Sequence, residues 1–240
     1  MKKYILLFCT FLFAFASTNA QIQNLQSYFT KTDNFLAANV KNGNVNYKNI
    51  QAKKMQLDEL VTFVAKQQSF TSTNEEKAFY LNSYNLTVIK AITDAYPIKG
   101  PMDIPGFFDK KKYTVNGNSI TLNGIENDIV RKKYNDARIH FALVCGAKSC
   151  PPLPSYAFSP KNLNAQLDLL TKQSIQNPTF TKIDVKNNKA SVSMLFNWYK
   201  DDFIKAKGSI IGFLNAYLKV PVPANISLEN YTYNWALNGD

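Results

Sequence analysis

The sequence predicts an α+β fold in a single domain, with mixed helices and β-hairpins packed around one buried central strand. Three observations predict it. Apolar residues recur at helical spacing in several segments, Asn-containing turns separate short β-prone runs, and no repeating β-α-β rhythm orders them. The 240 residues are 45% hydrophobic and 19% charged, which suits a globular core and excludes wholesale disorder. No heptads and no repeat of roughly 20–50 residues are present, so coiled coils and solenoids are excluded too.

The order of elements begins with an address. Lys2 and Lys3 precede an almost unbroken apolar run at 4–16, and Ser17, Thr18, Asn19 and Ala20 offer small residues for cleavage. Residues 1–20 are expected to be a signal peptide cleaved near Ala20, leaving 21–240 as one globular domain in the periplasm or outside the cell. The run is short for a membrane span, so the mature chain is expected to hold no integral membrane segment. Removing Lys2 and Lys3 lowers the formal charge from +11 to +9. The lysines are spread along the chain, with Lys110, Lys111 and Lys112 the one tight run, and this reads as a solvated surface rather than a nucleic-acid site.

Residues 22–40 suit a helix, and 43–47 a turn into a short extended piece. Leu57, Leu60, Val61, Val64 and Ala65 form an amphipathic helical stripe. The next helix starts with capping-box spacing at Thr73 and Glu76 or at Ser72 and Glu75, and stops near Tyr96-Pro97. Asn116-Gly117 signals a hairpin, 124–133 a short helix, and the apolar run 139–144 a central strand buried on both faces. Leu163, Leu167 and Leu170 mark a further helix. A second hairpin is expected around Asn187-Asn188, and a late helix through Ile210, Phe213, Leu214 and Tyr217 before Pro221.

The chemistry concentrates at 138–153, which carries the single histidine, His140, one of two arginines, Arg138, and both cysteines of the mature chain, Cys145 and Cys150. This R-I-H-F-A-L-V-C-G-A-K-S-C-P-P stretch resembles the hallmark of the family called domain of unknown function 547. Family-like segments follow in order at 43–47, 78–85, 125–127, 198–203 and 233–238. The resemblance covers about residues 42–238. It implies a shared fold and assigns no activity. Asn46 and Asn234 stand where the family often carries Asp.

The residues themselves leave two function classes. In the first, an exported hydrolase or group-transfer enzyme uses His140, with Cys145 as nucleophile, Glu126 or Asp202 as orienting or acid–base carboxylate, and Asn82, Asn85, Arg138 and Lys148 meeting substrate. In the second, a non-catalytic module binds a small-molecule or polymeric ligand, its loop stapled by a Cys145–Cys150 disulfide, the usual state of paired cysteines in an oxidising compartment. If 139–144 were extended, His140 and Cys145 would lie about 16 Å apart on opposite faces, so a nucleophilic pair needs a bend. Asn82 and Asn85 interrupt an apolar helix stripe and require partners for their amides, whether ligand or backbone. Phosphate-loop, dinucleotide and zinc-protease motifs are absent, and neither metal nor cofactor is expected.

Overall fold

The computed structural model describes residues 25–240, and the expected signal segment lies outside them. Helix α1 (25–39) leads into the hairpin of β1 (Val40–Lys41) and β2 (Asn44–Val45). Its turn places Asn42 and Gly43 at φ 52° and 81°, the left-handed region that Asn and Gly tolerate best. Helix α2 (Tyr47–Ala52) is capped by Asn46, whose side-chain oxygen accepts from the Asn49 amide at 2.9 Å. Helix α3 (Met55–Ala65) buries Leu57, Leu60 and Val64, as its stripe predicts.

Helix α4 (Thr73–Ala95) is the hub. Sixteen of its 23 residues are buried, so it is enclosed nearly all round rather than laid on a surface. Of the two cap spacings, the chain uses Ser72 and Glu75. The Ser72 hydroxyl accepts from the Glu75 amide at 3.2 Å, and the Glu75 carboxylate accepts from the Thr71 amide at 2.6 Å. Tyr96-Pro97 stops the helix as expected.

Strands β3 (Lys112–Val115) and β4 (Asn118–Thr121) pair around Asn116-Gly117. A π-helical segment, Gly124–Arg131, then runs into the single turn α5 (Lys132–Tyr134). Helix α6 (Leu163–Gln176) follows a long irregular stretch. Next come β5 (Thr181–Asp184) and β6 (Lys189–Val192), then α7 (Leu195–Trp198), α8 (Lys200–Lys207), α9 (Ile210–Asn215) and β7 (Ser227–Asn230). Strand β6 pairs antiparallel with β5 and parallel with β7. The fold is α+β, with small sheets of two, two and three strands among the described residues.

One expectation is corrected. The run 139–144 is not a central strand. Ala137–Phe141 is a 3-10 turn closed by hydrogen bonds from Ile139 to Asp136 and from Ala142 to Ile139. A short apolar run signals burial without distinguishing strand from turn. The Asp136 side chain decides the matter by accepting from the Arg138 amide, which starts a turn. The turn lies between two cores. Ile139 joins the large cluster around α4, and Phe141 joins an aromatic cluster with Phe196, Phe203 and Phe213. His140 sits at their junction.

The backbone after the turn is paired by side chains where a sheet would have supplied a neighbouring strand. Asn85 donates to the Ala142 carbonyl at 2.9 Å and accepts from the Val144 amide at 3.0 Å. Asn82 makes the same reciprocal pair with Phe158, at 2.8 and 2.9 Å. Both asparagines are buried on α4 and anchor the irregular 142–158 stretch to the hub.

Residues 233–238 complete the arrangement. Lys148 and Ser149 donate their amides to the carbonyls of Ala236 and Asn234, while Asn238 donates to Gly146 and accepts from Val45. Tyr47 donates its hydroxyl to the Asn238 side chain at 2.7 Å. This segment is therefore held between the first hairpin and the cysteine loop. Asn234, like Asn46, uses its side-chain oxygen as an acceptor, here from the Ala236 amide, a task Asn performs as Asp would.

Candidate active site

The 3-10 turn projects His140 between the π-helical segment and α8. Its ring has no exposed surface. On one side, Nε2 lies 2.7 Å from Asp202 Oδ2. The Asp202 carboxylate is also gripped by Arg131, with Nε to Oδ2 at 2.8 Å and Nη2 to Oδ1 at 3.1 Å. The His140 hydrogen bond, followed by the Arg131 guanidinium, holds the Asp202 carboxyl well below the usual carboxylate range against the opposing effect of burial. An ionised Asp202 only accepts hydrogen bonds, so Nε2 carries the proton in the neutral imidazole and Nδ1 carries the lone pair.

That lone pair faces no hydrogen-bond partner. His140 Nδ1 is buried and unbonded, with Glu126 Oε1 3.7 Å away. Glu126 is itself 7% exposed on the π-helical segment, a helix type often found at functional positions. The Tyr199 ring stacks on His140 at 3.8 Å between centroids, and Phe203 meets it edge-on at 5.6 Å. Burial first, and then the Glu126 carboxylate, pushes the Tyr199 phenol well above its ordinary value. The arrangement is a line from Arg131 through Asp202 and His140 to Glu126.

The line ends at a cavity of about 300 Å³. His140, Glu126 and Asn123 supply polar groups. Tyr84, Phe108, Trp198, Tyr199, Tyr233 and Trp235 supply aromatic walls, and Cys145, Cys150 and Pro151 one edge. The Tyr233 hydroxyl lies 3.3 Å from Cys145 Sγ and donates to Cys150 Sγ at 3.2 Å. The two sulfurs are within disulfide-bonding distance of each other, with 6.4 Å between Cα atoms. Gly146 turns the chain directly after Cys145, at a φ of +84° that L side chains rarely adopt and with Ile92 packed against its Cα.

The structure thus gathers His140, Glu126, Cys145 and Cys150 around one cavity, because the bend required between His140 and Cys145 exists. Asn82 and Asn85 pack against the same region but do not line it, their amides being paired with backbone. Arg138 points elsewhere, to Asp136, Asp168 and Asn164. Lys148 is exposed outside the cavity. Sequence reasoning weighed Asp202 for its place after Trp198-Tyr199, but missed Arg131. The one available signal was that Arg131 is the second of two arginines in a lysine-rich chain. Among the described residues, no cluster of three or more His, Cys, Asp or Glu is arranged for a metal ion. No described helix is long and apolar enough to cross a membrane.

Fold and cavity define an α+β protein that keeps an Asp–His–Glu line, its His and Glu buried, beneath an aromatic cavity. Residues 67–175 match the family described as protein of unknown function, DUF547, which supports assigning the chain to it. The matched stretch carries α4, Glu126, His140 and both cysteines, whereas Asp202 and the tryptophans lie beyond it. No curated protein and no solved structure matches the chain.

Proposed function

We propose that this chain is an enzyme of the hydrolase or group-transfer type working by general acid–base catalysis. The observation that carries the reading is the unbonded, buried Nδ1 of His140 beside Glu126, while Nε2 is fixed by Asp202. A buried acceptor without a partner costs stability, and such costs concentrate where chemistry uses the atom. In this reading Glu126 meets the substrate at the cavity surface. His140, one step behind, takes or returns the proton, and Asp202 with Arg131 keeps the imidazole in the Nε2–H tautomer. Cys145 is not the nucleophile, because its sulfur is committed to Cys150 in a disulfide. The paired cysteines, the apolar 4–16 run and the small residues at 17–20 support export to an oxidising compartment.

Because His140 is the single histidine, one nitrogen-15 imidazole spectrum reads its tautomer without assignment. The neutral form is expected to carry its proton on Nε2, and an Nδ1–H form would defeat the reading. With a substrate found among esters, amides and glycans, His140→Gln and Glu126→Gln should each cut turnover by ~10²–10⁴-fold with the fold intact. A second reading, a binding module stapled at Cys145–Cys150, is favoured by the sulfurs' bonding distance alone. It gains if the folded protein turns over none of these esters, amides or glycans.

A further inference from the structure

The cavity's electrostatics oppose those of the whole chain. The sequence contains 28 Lys and Arg, yet none lines the cavity, where Glu126 is the one acidic side chain. Arg131, a nearby cation, is held by Asp202 and by Asn127. Among the described residues Glu126 pairs with no Lys or Arg; its neighbours are His140 Nδ1 at 3.7 Å and the Tyr199 phenol. An anionic ligand would find no countercharge here.

The walls narrow the class further. Tyr233 and Trp235 lie 4.7 Å apart between ring centroids, Trp198 and Tyr233 4.9 Å, and Phe108 and Trp235 6.1 Å, so four rings form one continuous wall. A sugar presents a hydroxyl on most carbons, and each buried without a partner weakens binding. Beyond Asn123, Glu126 and His140 this cavity offers them tyrosine hydroxyls, of which that of Tyr233 is already directed at Cys150 Sγ. An alkylated ammonium has no such requirement. Its charge is spread over methyl groups that contact aromatic faces, and one carboxylate neutralises it.

Resting on the acid–base reading of the same site, we propose that the substrate is an organic cation whose alkylated ammonium group sits against Trp198, Tyr233 and Trp235 with Glu126 as counter-ion. Both tryptophans of the chain line the cavity, so their indole N–H resonances and fluorescence report occupancy directly.

The test is titration of the mature protein with tetramethylammonium and choline, alongside 3,3-dimethylbutan-1-ol, the uncharged carbon analogue of choline. Choline should shift both indole resonances and bind at least tenfold more tightly than the analogue. Trp198→Leu, a half-exposed position whose replacement leaves the core alone, should weaken choline about tenfold while barely affecting the analogue. Glu126→Gln should weaken choline about tenfold and leave the analogue unchanged, since it removes the counter-ion and not the wall. Equal affinity for choline and its analogue would overturn the proposal, as would shifts produced by glucose and not by either cation. Turnover of an uncharged substrate that depends on His140, without any cation binding, would overturn this inference while leaving the acid–base reading standing. Cation binding with an Nδ1–H tautomer would do the reverse.

Discussion

The two arginines of this chain do the same thing in two places, with opposite consequences. Arg138 grips Asp136 with Nε and Nη2 at 2.8 and 2.7 Å, and Arg131 grips Asp202 in the same forked way. Both aspartates serve the 3-10 turn that carries His140, one as its cap and one as the partner of its imidazole. Around Asp136 the hydrogen bonding closes on itself. Buried Lys77 donates at 2.5 Å and the Arg138 amide at 3.1 Å. Around Asp202 it continues through His140 and stops at an atom with no partner. A closed ionic cluster fixes backbone, whereas an open one keeps a proton acceptor in position.

Replacing either aspartate should separate the two roles. Asp202→Asn should lower turnover by ~10²–10⁴-fold in a chain that still folds. The Asn amide can donate to Nε2 and move the imidazole proton to Nδ1, a change visible in the nitrogen-15 spectrum. Asp136→Ala should do the opposite. It leaves Lys77 and Arg138 partly buried without their shared carboxylate, at a cost of ~3–5 kcal/mol in denaturant titration. If Asp202→Asn unfolds the chain and Asp136→Ala does not, the contrast between the clusters is wrong.

Asn85→Ala should cost ~2–3 kcal/mol, because the Ala142 carbonyl and Val144 amide lose their partner together. A milder effect follows from pH. Although burial opposes it, Arg138 and Lys77 hold Asp136 down to about 2. Its folded value lies below the unfolded one, so its contribution is complete above about pH 4 and disappears as pH falls toward 2. About 2 kcal/mol of stability should be lost through Asp136 across that window, and Asp136→Asn should remove that share while the share from Asp202, also held low, remains. The smallest effect belongs to the exposed Lys133–Glu76 pair, where Lys133→Met should change stability by under ~1 kcal/mol.

Legibility in the sequence followed the range of the forces. Asn116-Gly117, Ser72 with Glu75, and the Leu57–Val64 stripe act within a few residues, and each produced the element it predicts. The 139–144 run failed because hydrophobicity reports burial and not what pairs the backbone, which here is the Asn85 amide, 57 and 59 residues from its partners. His140, Glu126 and Asp202 were legible as chemical types. That they form one line was not, since Asp202 reaches His140 across 62 residues. Asn82 and Asn85 were singled out for the right reason, buried amides needing partners, but those partners are backbone groups rather than ligand.

The segment 233–238 gives the site a kinetic character of its own. Tyr233 and Trp235 reach the cavity only once that segment has docked between the first hairpin and the cysteine loop, and the Tyr47–Asn238 bond spans 191 residues. Contacts of such separation carry a large loop-closure entropy and form late in folding. The hub helix can therefore be in place while the aromatic wall is still missing. By the same reasoning, undocking of this one segment is an opening that dismantles the cavity while withdrawing a single side chain, Leu237, from the large core cluster. Amide exchange at Leu237 and Asn238 would report its frequency, and that frequency sets how often the cavity exists in a form able to hold anything.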